Sequence, residues 1–221
     1  MQSANAPNYF VNTITLYIIY QGGYKKMRHC EITRQTRETN IKLLLNLDGT
    51  GKNNIKTGCG FLDHMLNLFA SHGKFDLDIH CEGDTFVDYH HTVEDIGIAL
   101  GQAFNKSLGE KRGITRYGHI ILPMDEALIL TAIDFSGRAY LGWDMNINAQ
   151  KVGDFDTELA QEFWLGFVRN SLSTLHFKQL SGTNAHHIIE CAFKSAARSI
   201  AQAVKINLDY VTEIPSTKGV L

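Results

Sequence analysis

The sequence has no excess of basic residues, no long apolar run and no paired-cysteine motif. Its 221 residues carry 21 Lys and Arg against 23 Asp and Glu, a formal net charge of −2. No basic cluster supplies the field that binding to nucleic acid or to an anionic membrane requires. The apolar run Ile14 to Tyr20 is too short to cross a bilayer. It also lacks the preceding basic segment of a signal peptide. These absences predict that neither nucleic acid nor a membrane is a partner.

The four cysteines lack the spacing of a zinc or redox motif. No two of them form a C-x-x-C pair, and each lies in a periodic apolar segment: Cys30, Cys59, Cys81 and Cys191. This pattern favours reduced, buried thiols over disulfides or metal ligands. We therefore expect a cytoplasmic protein.

The chain also lacks a linker rich in proline, glycine or serine. We therefore expect a single domain over residues 27–221, the last part of which, 214–221, is a C-terminal loop. Residues 1–26 share no pattern with the rest and are interpreted as an extension, and Met27 is a candidate start. The domain divides into halves at about 28–112 and 113–213. Each half has the order strand, strand, helix, strand, helix, which predicts an internally duplicated α/β sandwich.

Apolar periodicity locates the predicted elements. Two strands, 28–36 and 41–47, are joined by a turn near Thr39-Asn40, and residues 48–54 form a loop. Each half ends in a long amphipathic helix, and these helices are predicted at about 91–108 and 185–205.

Both long helices open on the same motif, His-His-x-x-Glu. The first copy is His90-His91 with Glu94, and the second is His186-His187 with Glu190. On a helix, residues four apart share a face, whereas neighbours diverge by roughly 100°. The first histidine of each copy therefore pairs with its glutamate, and the second histidine points elsewhere.

This geometry suggests two metal ions that exchange ligands between the copies. The divergent histidine of one copy completes the pair of the other, which gives the sets His90/Glu94/His187 and His186/Glu190/His91. Duplication adds one further ligand from the preceding helix to each ion, His64 and its counterpart Glu162. Imidazole and carboxylate ligands without thiolate are typical of Mn, Fe or Zn. A single His-His pair is more often structural, but two copies in matching positions favour metal binding.

Several basic residues lie where they can bind an anion. Arg116 precedes a strand, Arg138 follows the turn Ser136-Gly137, and the segment Pro215 to Gly219 offers hydroxyls, amides and an ammonium. Arginine suits bidentate binding of phosphate. Taken singly, these residues are equally typical of solvated charges in turns. Pattern alone likewise leaves Lys194 as a helical ion-pair partner, Glu38 as an exposed hairpin residue and His72 as a helix-end residue.

Five motifs, in order, resemble those of the imidazoleglycerol-phosphate dehydratase family. The resemblance covers about residues 28–221, and the motifs are Arg34-Gln35-Thr36-Arg37-Glu38-Thr39, Asp63-His64-Met65-Leu66, His90-His91-Thr92-Val93-Glu94-Asp95, Asn184-Ala185-His186-His187-Ile188-Ile189-Glu190 and Pro215-Ser216-Thr217-Lys218-Gly219.

The resemblance implies a duplicated sandwich of the ribosomal protein S5 domain 2-like fold and a homo-oligomer of 24 subunits. It also implies two Mn²⁺ ions per active site, at subunit interfaces. The two implied ligand sets are His64, His91, His186 and Glu190, and His90, Glu94, Glu162 and His187. Glu162 occupies a position where members of the family carry either His or Glu.

The implied enzyme is a hydro-lyase of histidine biosynthesis that removes water from D-erythro-imidazole-glycerol phosphate to give imidazole-acetol phosphate. The catalytic residues that the resemblance implies are Glu38, His64, His90, His91, Glu94, His186, His187 and Glu190. The resemblance assigns the phosphate end of this small-molecule substrate to residues in the second half and the C-terminal loop, namely Arg116, Arg138, Lys194, Ser216, Thr217 and Lys218. It assigns the remaining contacts to Glu38, His72 and the ligands His64, His90, Glu94 and His186.

Two alternatives stand beside this interpretation. A dinuclear metallohydrolase has a similar ligand set but normally uses aspartates that bridge the metals, which the motifs do not provide. A non-catalytic metal-binding shell protein does not require basic residues that converge on the metals.

Overall fold

The structure is a computed structural model that describes the backbone of residues 17–20 and 23–26 and the whole chain from 28 to 221. Strands β1 (Tyr17–Tyr20) and β2 (Gly23–Lys26) pair as an antiparallel hairpin. The segment predicted to be an unpatterned extension therefore contains this hairpin. Part of the apolar run from Ile14, and Met27, lie outside the described residues.

The first half forms a four-stranded sheet with two helices. Its elements are β3 (His29–Gln35), β4 (Thr39–Asn46), β5 (Asn53–Lys56), α1 (Gly60–Gly73), β6 (Asp76–Gly83) and α2 (His90–Leu108). The strand order is β3-β4-β6-β5, in which only the β5–β6 pair is parallel.

The second half has the same arrangement. Its main elements are β7 (Tyr117–Met124), β8 (Ala127–Asp134), β9 (Tyr140–Asp144), a short β10–β11 hairpin (Lys151–Val152 and Phe155–Asp156), α3 (Leu159–Ser171), β12 (Thr174–Ser181) and α4 (Ala185–Val204). The sheet order β7-β8-β12-β9 matches the first sheet strand for strand, again with one parallel pair, β9–β12. A short 3-10 helix, Leu208–Tyr210, precedes the C-terminal loop.

The helices lie between the two sheets, and each contacts a helix of the other half. α1 packs against α4 and α2 against α3, while α2 covers β3 and β4 and α4 covers β7 and β8. The α2–α3 contact is close, since a Cβ at Gly97 would overlap the carbonyl oxygen of Phe163. Large aromatic side chains such as Trp164 and Phe104 are fully buried in this layer. The expected α/β sandwich with two matching halves is confirmed.

Two local predictions in the first half were wrong. The turn between the first strands lies at residues 36–38, where Thr36 Oγ1 accepts hydrogen bonds from the backbone N–H of Glu38 and Thr39. Thr39 therefore opens β4. The predicted loop 48–54 ends early, because Asn53 already begins β5. Each half thus has a third strand before its first helix.

All four cysteines are buried and carry free thiols. Burial raises the pKa of Cys81 to about 12, with Asp95 and Glu82 adding to the effect. Across the described ranges, no helix has the length and apolarity needed to cross a membrane.

Candidate metal centre

The α1–α4 contact brings three predicted metal ligands together. His64 Nε2 lies 3.4 Å and His186 Nε2 lies 3.1 Å from the same carboxylate oxygen, Glu190 Oε2. All three ligand atoms lie within 4.8 Å of one another. The Asn184 side chain accepts from the His187 N–H and begins α4, so His186 falls in its first turn. We call His64, His186 and Glu190 the first ligand group.

The other oxygen of Glu190 is held by a cation. Lys194, one turn further along α4, forms an ion pair with Glu190 Oε1. Burial acts to raise the pKa of Glu190, but Lys194, His186 and His64 together lower it below its usual value. The carboxylate therefore presents one oxygen to both imidazoles in its charged form.

In the other copy, the α2–α3 contact lies near the predicted ligands, but within the described residues their ligand atoms do not converge as those of the first ligand group do. His90 Nε2 lies 3.6 Å from Glu94 Oε2. A Cβ at Gly166 would come within 2.9 Å of the Glu94 carbonyl oxygen, so this crossing brings Glu162 of α3 to the same end of α2. The half-buried Glu162 carboxylate makes no hydrogen bond or ion pair with the described part of the chain. We call His90, Glu94 and Glu162 the second ligand group.

The divergent histidines of the two motifs face away from both ligand groups. His91 Nδ1 lies 3.0 Å from Asp84 Oδ2, and its Nε2 lies 3.7 Å from Glu38 Oε1. His187 Nδ1 lies 2.7 Å from Glu126 Oε2. Over residues 28–221, neither histidine joins a ligand group of the same chain. The ligand exchange between the two motif copies therefore stays a prediction, since neither divergent histidine reaches a ligand group of its own chain in this range.

The carboxylates beside His91 and His187 shift the pKa of each imidazole. The hydrogen bond that His91 donates to Asp84 raises the pKa of His91 above its usual value, with Glu38 adding to the effect. Likewise, Glu126 raises the pKa of His187. His187 and the backbone N–H of Asn184 lower the pKa of Glu126 to about 2.

A basic surface adjoins the first ligand group. Burial lowers the pKa of His72, and Lys194, Arg198 and Lys74 lower it further, while Glu190 opposes them. His72 of α1 therefore faces the cationic side chains of α4. Arg198, which the sequence patterns did not single out, continues the spacing of Glu190 and Lys194 by one more turn.

The remaining predicted anion-binding residues meet around the C-terminal loop. Arg116 Nε and Nη2 donate to both oxygens of Asp134 at 2.7 and 3.1 Å, and Nη1 donates to the Pro215 carbonyl at 2.8 Å. The C-terminal Leu221 packs against Gly137, next to the exposed Arg138. Ser216 Oγ accepts from the backbone N–H of Lys218 at 3.2 Å, and the Thr217 and Lys218 side chains are exposed.

The first ligand group suits a divalent ion. Two ligands at about 2.1 Å from one ion, at right angles, lie about 3.0 Å apart. The distances of 3.1 and 3.4 Å between imidazole nitrogens and the Glu190 oxygen are close to this separation. Two imidazoles and one carboxylate are also a donor set that Mn, Fe and Zn accept. These residues can therefore hold a metal ion.

Three carboxylates at these sites escaped the sequence patterns: Asp84, Glu126 and Asp134. Each lies outside the His-His-x-x-Glu motifs, and Asp84 and Glu126 sit in loops at unrelated positions of the two halves. Their partners are distant in sequence or belong to another element, so the apolar periodicity of the sequence does not reveal the role of these carboxylates.

Comparison with known proteins identifies close relatives. The family model described as imidazoleglycerol-phosphate dehydratase matches residues 57–200. The chain is 53% identical over 194 residues to the imidazoleglycerol-phosphate dehydratase of Caldicellulosiruptor bescii, a match that covers 88% of this chain and 98% of the relative.

Solved structures agree. The enzyme of the same name from Pyrococcus furiosus is 41% identical with a TM-score of 0.75, over 86% of this chain and 99% of that one. The Staphylococcus aureus enzyme is 37% identical with a TM-score of 0.74, over 81% and 99% of the two chains. The chain therefore belongs to the imidazoleglycerol-phosphate dehydratase family, whose members are hydro-lyases of histidine biosynthesis.

Proposed function

We propose that the protein is an Mn²⁺-dependent enzyme that converts D-erythro-imidazole-glycerol phosphate to imidazole-acetol phosphate and water. The observation that carries this proposal is the first ligand group, in which two imidazoles and a carboxylate converge within 4.8 Å. Membership of the family favours this activity over a metallohydrolase or a non-catalytic shell protein. The cytoplasmic location expected from the free cysteines stays a prediction.

Each active site holds two Mn²⁺ ions in this proposal. The first ligand group takes His91 as a further ligand, and the second takes His187. The geometry around the divergent histidines supports a donor from another chain, since both face away from the ligand groups of their own chain. The sites then lie at subunit interfaces, which accords with an assembly of 24 subunits. The division of one domain, 27–221, into duplicated halves explains why two similar ligand groups occur in each chain.

The segment that leads into the first motif has the properties of a contact between subunits. Phe86 and Val87 are 89% and 58% exposed and lie between Asp84 and His90. Exposed large apolar side chains are costly in water and commonly mark interaction sites. Burial of Phe86 against a neighbouring chain brings His91 towards that chain's ligand groups.

The basic residues bind the substrate phosphate. Lys194 and Arg198 act beside the first ligand group. Arg116 and Arg138 lie next to the C-terminal loop, which itself carries Ser216, Thr217 and Lys218. Because His64, His90, Glu94 and His186 belong to the ligand groups, they contact the imidazole end, and His72 reaches the substrate from the last turn of α1. Fixing both ends orients the carbon that loses hydroxide, and such orientation lowers barriers by several kcal/mol.

The hydrogen that leaves is not acidified by a neighbouring carbonyl, so the chemistry depends on the ring. When bound, the metal ions supply Lewis-acid stabilisation of the deprotonated ring and of the leaving oxygen. Glu38 or a ligating carboxylate accepts the proton from carbon. The separation of 3.7 Å between Glu38 and His91 Nε2 supports Glu38, because it lies beside a metal-binding atom and makes no ion pair with a lysine or arginine among the described residues.

Metal analysis combined with an assay for imidazole-acetol phosphate tests the proposal. We expect two Mn²⁺ per chain, loss of both metal and activity on chelation, and recovery of both when Mn²⁺ is returned. Full dehydratase activity in protein from which the metal has been removed contradicts metal dependence. One ion per chain contradicts the paired ligand groups.

A further inference from the structure

We propose that Asp84 and Glu126 are positioning residues that fix the tautomer and direction of the two divergent histidines for metal binding. This inference rests on the proposed function, since it takes His91 and His187 to be metal ligands. Neither carboxylate belongs to the motifs or to the predicted ligand sets.

The two contacts have the same geometry. Asp84 approaches Nδ1 of His91 at 3.0 and 3.2 Å, and Glu126 approaches Nδ1 of His187 at 2.7 Å. In each case Nδ1–H donates a hydrogen bond to the carboxylate, so the lone pair of the neutral imidazole is on Nε2. Nε2 is then the atom available to an ion, and the carboxylate increases its basicity.

Hydrogen bonds hold the backbone of Asp84 and the carboxylate of Glu126 in place. The backbone N–H of Asp84 donates to the Glu38 carbonyl, and the N–H of Val87 donates to the Asp84 carbonyl. Glu126 Oε1 accepts from the backbone N–H of Asn184 at 2.9 Å and of Thr183 at 3.3 Å, so only Oε2 faces His187. A carboxylate with so few alternative positions restricts rotation of the imidazole that it binds.

The two carboxylates reach their histidines from unrelated places in the halves. Asp84 follows β6 and lies a few residues before its histidine, whereas Glu126 lies in the β7–β8 turn, far from His187 in sequence. Repetition of one sequence segment therefore does not account for them. The same contact on both Nδ1 atoms points to a shared requirement of the two histidines.

The Nε2 atoms also have similar surroundings. His91 Nε2 lies 3.7 Å from Glu38, and His187 Nε2 lies 3.8 Å from Asp125. Both distances exceed normal hydrogen-bond length, so each Nε2 has a carboxylate nearby without being bound by it. A negatively charged neighbour attracts a cation to this side of the ring.

The variants Asp84→Asn and Glu126→Gln test the inference by Mn²⁺ titration followed by calorimetry and electron paramagnetic resonance. Loss of a carboxylate that hydrogen-bonds a metal-ligating histidine typically weakens metal binding about 10- to 100-fold. We expect such a loss for one of the two ions in each variant, with the melting temperature of the metal-free protein unchanged. Asp84→Glu, which keeps a carboxylate, is expected to retain more affinity than Asp84→Asn.

Two surface variants are matched controls, since each removes one carboxylate charge from an exposed ion pair. Asp144→Asn releases Lys178, and Glu110→Gln releases Arg112. Both controls are expected to bind Mn²⁺ as the unchanged protein does. Affinity in Asp84→Asn and Glu126→Gln equal to that of these controls overturns the inference.

Combining Asp84→Asn with His91→Ala separates positioning from a general structural effect. If Asp84 acts through His91, the double variant binds Mn²⁺ no more weakly than His91→Ala alone. An additive loss overturns the inference. An unchanged protein that binds no Mn²⁺ overturns the proposed function as well. Loss of an ion in His91→Ala but not in Asp84→Asn removes only the positioning role.

Discussion

The two imidazoles of each His-His pair point in different directions and contact different carboxylates, because adjacent residues of a helix diverge by roughly 100°. In α4, His186 contacts Glu190 on one face, while His187 contacts Glu126 in the β7–β8 turn. Likewise, His90 contacts Glu94, whereas His91 contacts Asp84. A metal ligand set that draws on both histidines of a pair therefore requires more than one helix.

Asp76 offers a residue-scale test of stability. Burial acts to raise its pKa, but the backbone N–H groups of Thr50, Lys52 and Gly51 outweigh burial and lower it. A lowered carboxylate pKa contributes stability above the unfolded-state pKa, and this contribution disappears as the pH falls through the folded-state pKa. We expect Asp76→Asn to lower the free energy of unfolding by about 1–2 kcal/mol at neutral pH.

Chemical denaturation at fixed protein concentration over a range of pH measures this effect. The difference between Asp76→Asn and the unchanged protein should shrink in acid, where the Asp76 carboxylate is protonated. Asp78→Asn on the same strand is the control, because the Asp78 side chain accepts a single hydrogen bond, from Asn54 at 3.2 Å. Equal stability of the two variants at neutral pH contradicts the role given to Asp76.

At the scale of elements, helix contacts between the halves create the ligand groups. α1 supplies His64 to α4, which forms the first ligand group, and the α2–α3 crossing places Glu162 near the ligand-bearing end of α2. Periodicity predicted α2 and α4 within a residue or two because each has a long apolar face. The strand β5 was missed because only Ile55 of its four residues is buried. Its existence depends on parallel pairing with β6, which no local pattern reveals.

Arg116 links a strand to the C-terminal loop, which gives a test at the same scale. Its backbone has a positive φ of 72°, which is uncommon for a residue with a side chain, and its guanidinium joins Asp134 to Pro215. We expect Asp134→Asn to weaken this anchor by about 1–2 kcal/mol, and amide exchange in residues 214–221 to rise roughly 5- to 30-fold. KM for the phosphorylated substrate should rise more than kcat falls.

Hydrogen exchange by mass spectrometry and steady-state kinetics provide the two readouts. Glu110→Gln is the matched control, because Glu110 holds the exposed Arg112, which donates to the Thr212 carbonyl just before the loop. This control should leave exchange in residues 214–221 unchanged. Unchanged exchange in Asp134→Asn as well would show that Asp134 does not anchor the loop.

At the scale of the whole molecule, each chain carries two ligand groups and two histidines that face away from them. The duplicated motif and the helix geometry that separates adjacent histidines predicted these ligands from the sequence. Helix geometry alone did not say whether the copies exchange ligands within one chain or between chains, and in the structure His91 and His187 contact Asp84 and Glu126 of their own chain. A single sequence contains no signal that distinguishes exchange within a chain from exchange between chains.

The central claim is that a complete metal site uses His91 from one chain and the first ligand group from another. Two inactive variants, His91→Ala and His186→Ala, are mixed in equal amounts, dissociated by chelation and reassembled with Mn²⁺. Random assembly then pairs intact partners at about a quarter of the sites, and dehydratase activity should recover to about that fraction. A mixture of His91→Ala with His91→Gln, which has no intact partner, should stay inactive. Activity of the complementing mixture no higher than that of its separate components would contradict a site shared between chains.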